Sequence, residues 1–174
     1  MTGLMTGKRG LVMGVANDHS IAWGIAQSLH SQGAELAFTY QGEAFGKRVE
    51  PLAKSVGSDI LLPCDVEDIS TVDAVFAALK EKWGKIDFLV HAIAFSDKNE
   101  LKGKFADTSR ENFTKTMVIS CFSFVEVAKR AAALMPDRKA HSFPTRRSSD
   151  LRSTSGNFDE GEARDHHGLG EIFS

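Results

Sequence analysis

Short apolar runs alternate with longer stretches of helical periodicity along most of this chain, and that alternation limits what it can fold into. Arg9-Gly-Leu-Val-Met13 ends at Gly14 and reads as a buried strand. Ser20 to Ser31 follows, with Ile21, Ile25 and Leu29 at helical spacing, Ser20 as the N-cap and Gly33 as the stop. Glu35-Leu-Ala-Phe-Thr-Tyr40 is a second strand. Glu43 to Val56 reads as a helix that Pro51 kinks or divides. Asp59-Ile-Leu-Leu62 is a third strand, running into Cys64-Asp65-Val66. Ile69 to Trp83 is amphipathic through Val72, Val75, Phe76 and Leu79, and Gly84 ends it. Ile86-Asp-Phe-Leu-Val90 is a fourth strand, leading into His91-Ala-Ile-Ala-Phe95. Polar residues from Ser96 to Asp107 form a loop, and Arg110 to Met135 is one long helix or two, stopping before Pro136.

Strand–helix alternation of this kind predicts an α/β class protein with a parallel sheet covered on both faces. With right-handed crossovers it becomes a Rossmann-like, doubly wound sheet. Residues 7–135 supply about four strands, the N-terminal half of such a fold. The remainder differs in kind. Seven of the 34 residues from His141 to Ser174 are hydrophobic, against 42% for the chain as a whole. That tail, rich in Ser, Gly, Asp, Glu and Arg, is expected to be disordered or poorly packed. The expected organisation is therefore a dinucleotide-binding part at residues 1–137 and an unrelated segment at 138–174.

Charge and cysteine content exclude several classes. A net charge of -2 supplies no field for nucleic acid, and Arg146-Arg147 is too short for a basic patch. Cys64 and Cys121 are too few for a disulfide framework, which suits a reducing compartment. The start, MTGLMTGKRG, lacks the apolar core of a signal peptide, and no apolar run approaches the roughly 20 residues of a membrane span. A cytoplasmic protein without membrane or nucleic-acid partners is expected. His166-His167 are adjacent, so their side chains diverge and no acidic or thiol framework supports them; no metal site is expected.

In an open α/β sheet, ligands bind beyond the carboxyl ends of the strands, where the strand order reverses. Four features of this chain fall at such ends. Gly14 permits a tight turn, and the helix amides near Ser20 and Ile21 can point at a pyrophosphate, although an ordinary strand-to-helix loop is the plain alternative. Gln41 stands where a dinucleotide site often has Asp or Glu for the ribose diol. Lys47 and Arg48 could meet a 2′-phosphate or could simply form a solvated helix face. Asp65 can accept from an adenine amino group while Val66 covers one face of the ring; alternatively Asp65 starts a helix. Small residues between His91 and Ser96 let the backbone approach a ribose, with His91 read as a packed polar residue.

These segments resemble the NADH-dependent enoyl-acyl-carrier-protein reductases of bacterial type II fatty-acid synthesis, a divergent branch of the short-chain dehydrogenases. The resemblance covers residues 7 to about 137. It is carried by Gly14-x5-Ser20-Ile21-Ala22-x-Gly24-Ile25-Ala26, Gly33-Ala34-Glu35-Leu36-Ala37-Phe38-Thr39-Tyr40-Gln41, Cys64-Asp65-Val66 and Val90-His91-x-Ile93-x-Phe95. It implies NADH contacts at Gly14, Ser20, Ile21, Gln41, Asp65, Val66 and Ile93, and an acyl substrate near Ser96. It also implies reduction of a trans-2-enoyl thioester on acyl carrier protein, and a homotetramer. The apolar residues of the last helix, Phe122, Phe124, Val125 and Val127, belong either to the core or to a subunit contact.

In that family a tyrosine, with a lysine seven residues later, meets the charge developing on the thioester oxygen, and both follow the fifth strand. The only tyrosine here is Tyr40. Tyr40 and Lys47 have the family's spacing, but they stand at the adenosine end, so no catalytic residue is assigned. His141-Ser-Phe-Pro-Thr-Arg-Arg-Ser-Ser-Asp-Leu151 resembles a translated sequencing-library adapter. The expectation is a truncated reductase with a foreign tail, inactive as written. The other readings are a non-catalytic NAD-binding fragment and a different short-chain dehydrogenase.

Overall fold

β1 (Arg9–Met13) occupies an interior position in the sheet, because both of its edges are paired and both of its faces are apolar. The computed structural model describes residues 3–135. β2 (Glu35–Tyr40) lies on one side of β1 and β4 (Phe88–His91) on the other, both parallel, and β3 (Leu61–Pro63) pairs with β2. The order is therefore β3-β2-β1-β4, with the reversal between β1 and β4. Among the described residues β4 pairs only with β1. The expected Rossmann-like parallel sheet is present.

Alternating side chains of β1 enter two cores. Leu11 and Met13 face α3 (Ile69–Trp83) and α5 (Ser123–Leu134), meeting Val72, Val75, Leu79 and Val127. Val12 faces the other way, with Ala22, Trp23 and Ala26 of α1 (Ile21–Ser31) and Val49 and Ala53 of α2 (Gly42–Ser55). Gly10 lies at the centre of this arrangement because a Cβ there would sit 2.0 Å from the Phe88 ring. Met13 accepts the Ala92 N–H at 3.0 Å, which continues the contact of β1 with the chain leaving β4.

Several boundaries differ from the sequence pattern, each for a visible reason. The third strand begins at Leu61, not Asp59, because the Ser58 hydroxyl donates to the Leu36 carbonyl at 2.6 Å where a strand amide would otherwise bond. The fourth begins at Phe88 because the Ile86 N–H donates to Leu134 at the end of α5. Pro51 neither ends nor divides α2, which runs through it as one element. Ser20 is the N-cap of α1, but its hydroxyl donates to the Asn17 carbonyl at 2.7 Å and makes no cap hydrogen bond.

The last helical stretch is neither one regular helix nor two separate ones. α4 (Arg110–Met117) passes through a π turn at Val118–Phe122 directly into α5. The loop between β4 and α4 contains short 3-10 turns at Lys98–Leu101 and Phe105–Asp107. Among the described residues no helix is long and apolar enough to cross a membrane, and no three His, Cys, Asp or Glu side chains gather as a metal site. The low-hydrophobicity tail, with His166 and His167, lies outside the described residues.

Two substitutions test the contact between β1 and β4. The Asp87 carboxylate, 6% exposed, accepts from the Arg9 N–H at 3.0 Å and from Lys8 Nζ at 3.1 Å. Burial alone would raise its pKa, but the Arg9 and Lys8 bonds outweigh it and hold the group below the usual aspartate value. A depressed carboxylate pKa stabilises the fold above the unfolded-state pKa, and that stability is lost as pH falls through the folded-state pKa. Asp87→Asn is expected to cost about 1–3 kcal/mol at neutral pH and to flatten the acid limb of stability; urea unfolding at neutral and acidic pH measures both. Gly14 has φ +97°, and a Cβ there would lie 2.1 Å from the Ala92 carbonyl oxygen. Gly14→Ala is expected to destabilise by about 2 kcal/mol or more, read from the same unfolding curves.

Candidate functional site

The carboxyl ends of all four strands open onto a cleft of about 440 Å³, beside the reversal between β1 and β4. Gly14, Gln41, Asp65, Val66 and Ile93 line it, so five of the eight residues expected from the sequence come together. The other three do not line it. Ser20 and Ile21 begin α1, beyond the loop whose Gly14, Val15 and Ala16 form part of the wall. Ile21 is 81% exposed, and the first turn of α1 has no side-chain cap. Ser96 follows Phe95, which lines the cleft, and its hydroxyl accepts from Asn112 Nδ2 at 3.3 Å.

Asp65 is the most tightly tied of these residues. Its Oδ1 accepts the Glu67 N–H at 2.9 Å and its Oδ2 accepts Gln41 Nε2 at 3.0 Å. Its own N–H donates to Thr71 Oγ1 at 2.9 Å. The carboxylate is thus held between the end of β2 and the chain leading into α3, while the main chain of Asp65 is tied to the first turn of α3. It does not start that helix, because Asp68 is the N-cap and accepts from the Ser70 N–H.

Neighbouring groups that could do chemistry are quiet. Burial pushes the Cys64 thiol up to about 11, and the adjacent Asp65 charge adds to this against a hydrogen bond with Thr71. A thiol so protonated is a poor nucleophile at neutral pH. His91 is held 2.8 Å from Ser123 Oγ, and the Ser123 hydroxyl donates to Ile119 at 2.6 Å. With that proton committed, His91 Nε2 is the donor. Burial lowers the His91 pKa, so the ring is neutral, and it packs edge-on against Phe124 at 5.5 Å. This is the packed polar residue the sequence suggested.

The Tyr40–Lys47 spacing does not form a catalytic pair. The Tyr40 ring packs so closely against α2 that a Cβ on Gly46 would lie 2.8 Å from it, while Lys47 pairs with Glu43 at 2.8 Å. Arg48 lies 5.9 Å from the Phe45 ring centroid, and neither Lys47 nor Arg48 lines the cleft. The solvated-face reading of those cations holds. Sequence reasoning missed Lys115 and Ile119, which reach the cleft from α4 and the π turn. Lys115 Nζ lies 3.5 Å from Glu67 and 5.3 Å from the Phe95 ring centroid. No local pattern marks a lysine on a helix face as cleft-lining; only the fold brings it there.

Comparison with known proteins agrees with this geometry. The profile of the family described as Enoyl-(Acyl carrier protein) reductase matches residues 14–146. Enoyl-[acyl-carrier-protein] reductase [NADH] 2 of Rhizobium meliloti is 76% identical over 137 residues, covering 79% of this chain and 51% of that protein. The crystal structure of the reductase from Anaplasma phagocytophilum in complex with NAD is 55% identical, with a TM-score of 0.74 over 77% of this chain and 51% of that one. The Bacillus cereus enoyl-acyl carrier protein reductase, solved with NADP+ and an indole naphthyridinone, is 45% identical, with a TM-score of 0.74 over 76% and 52%. The chain thus spans about half the length of the relatives it matches. With a profile match from residue 14 to 146 and such identity across the sheet and its cleft, the chain belongs to the enoyl-(acyl carrier protein) reductase family.

Proposed function

We propose that residues 1–137 are the NADH-binding part of an enoyl-acyl-carrier-protein reductase, and that the low-hydrophobicity segment beyond the family match, which ends at residue 146, is unrelated to it. The observation that carries this reading is the convergence of Gly14, Gln41, Asp65, Val66 and Ile93, from four separate strand ends, on one cleft. The donor set suits a dinucleotide. Asp65 has lone pairs left to accept from an adenine amino group, beside the apolar side chain of Val66. Gln41 offers an amide to the ribose, and Gly14 keeps the turn after β1 free of a side chain. Ser20 and Ile21 bring the uncapped first turn of α1, whose amides suit a pyrophosphate. Bound there, NADH would supply the hydride for reduction of a trans-2-enoyl thioester in fatty-acid elongation.

The remaining chemistry needs a donor for the charge that develops on the thioester oxygen. The family's tyrosine and lysine have no counterpart in this sequence, whose single tyrosine is Tyr40. The chain therefore binds and orients nucleotide in the cytoplasm without completing the reduction. Ser96, next to the cleft wall, is the residue on the side of the acyl-carrier-protein substrate. The apolar face of α4, the π turn and α5, where Phe113, Phe122, Phe124 and Val125 are exposed, suits a subunit contact of the homotetramer.

Calorimetry with NADH is expected to show saturable binding, and a crotonyl thioester is expected to cause no NADH oxidation above background. Turnover at an enzymatic rate would sink the inactive reading; an absence of binding heat would sink the nucleotide reading.

A further inference from the structure

Position 41 carries no charge at a place where a carboxylate commonly selects the ribose diol. Relatives of this chain include one named for NADH and one solved with NADP+, so the family resemblance alone does not decide the choice. We propose that Asp65 is a positioning residue for that choice: by holding the amide of Gln41, it makes the end of β2 select a free ribose 2′-hydroxyl over a 2′-phosphate. This rests on the nucleotide-binding reading of the cleft.

An amide has a donor end and an acceptor end, whereas an ionised carboxylate only accepts. The 3.0 Å contact between Gln41 and Asp65 Oδ2 therefore requires the NH2 group of Gln41 to face Asp65. Oε1 is left as the uncommitted end of a side chain that lines the cleft. Asp65 has little freedom to release it. Its other oxygen accepts the Glu67 N–H at 2.9 Å, and its main-chain N–H is bonded to Thr71 Oγ1.

A carbonyl oxygen suits a hydroxyl, which can donate to it. A 2′-phosphate offers only acceptor oxygens and about −1.5 to −2 charges at neutral pH, so it meets that oxygen, and Asp65 behind it, with repulsion. No cation of β2 or α2 lines the cleft: Lys47 is paired with Glu43 and Arg48 lies over Phe45. The two lysines that do line it, Lys98 and Lys115, come from the loop after β4 and from α4, and Lys115 is paired with Glu67.

The test is a double-mutant cycle on the full chain, with calorimetric titration of NADH and NADPH against the unmodified chain, Gln41→Leu, Asp65→Asn and the double variant. The unmodified chain is expected to favour NADH by about tenfold or more. Asp65→Asn frees Gln41 to turn, because an asparagine can either donate or accept, and is expected to narrow the preference by about threefold or more. Its effect on the adenine contact is common to both nucleotides and leaves their ratio unchanged. In the Gln41→Leu background Asp65→Asn is expected to change the ratio little, because the amide through which it acts is gone. Equal narrowing in both backgrounds would mean that Asp65 acts by its own charge and would overturn the positioning role. So would an unchanged ratio in Asp65→Asn, or a preference of the unmodified chain for NADPH. Failure of the unmodified chain to bind either nucleotide would overturn the cleft reading, and this inference with it.

Discussion

Two glycines set the distance between β1 and the chain of β4, and the cleft depends on that distance. Gly10 receives the Phe88 ring, and Gly14 lies against the Ala92 carbonyl. Between them the ladder runs from Gly10 opposite Phe88 to Met13 opposite His91. A side chain at either glycine would force the strands apart, and the walls of the cleft would part with them. Asp87 fastens the other end of the same seam through Arg9 and Lys8. The sheet's reversal point, where the site lies, is thus closed by backbone proximity more than by side-chain bulk.

The elements whose residues carry their own signal were legible in the sequence. Ile69–Trp83 has a regular apolar stripe and a terminal glycine, and it forms as expected. Glu35–Tyr40 is a mostly apolar run ending in the β-formers Phe38, Thr39 and Tyr40, and it also forms as expected. Boundaries moved where a distant group took a backbone bond, as Leu134 does at Ile86 and Ser58 does at Leu36. Such partners are remote in sequence, and periodicity does not report them.

The site divides in the same way. Gly14, Gln41, Asp65, Val66 and Ile93 each follow a strand, so topology alone aims them at one place. Lys115 and Ile119 come from a helix that reaches the cleft only through the packing of its turns. Ser96 was expected from the family resemblance, and its hydroxyl is occupied by Asn112 beside the wall. The described residues that line the cleft offer hydrogen-bonding and apolar groups. Those near the cleft with reactive potential, Cys64 and His91, are both held in their uncharged forms by burial.

The π turn at Val118–Phe122 acts as a phase shifter between two parts of one helix. A π turn adds a residue to the helical register, so the stripe that follows is rotated by about 100° from where a regular helix would carry it. Upstream of the shift, the helix sends Lys115 to the cleft; within it, Ile119 follows; downstream, Val127, Ala131 and Leu134 meet the sheet's core. One continuous helical stretch thus lines the cleft at one end and the sheet's core at the other. Removing one residue from the turn would restore regular winding and force a choice between cleft and core.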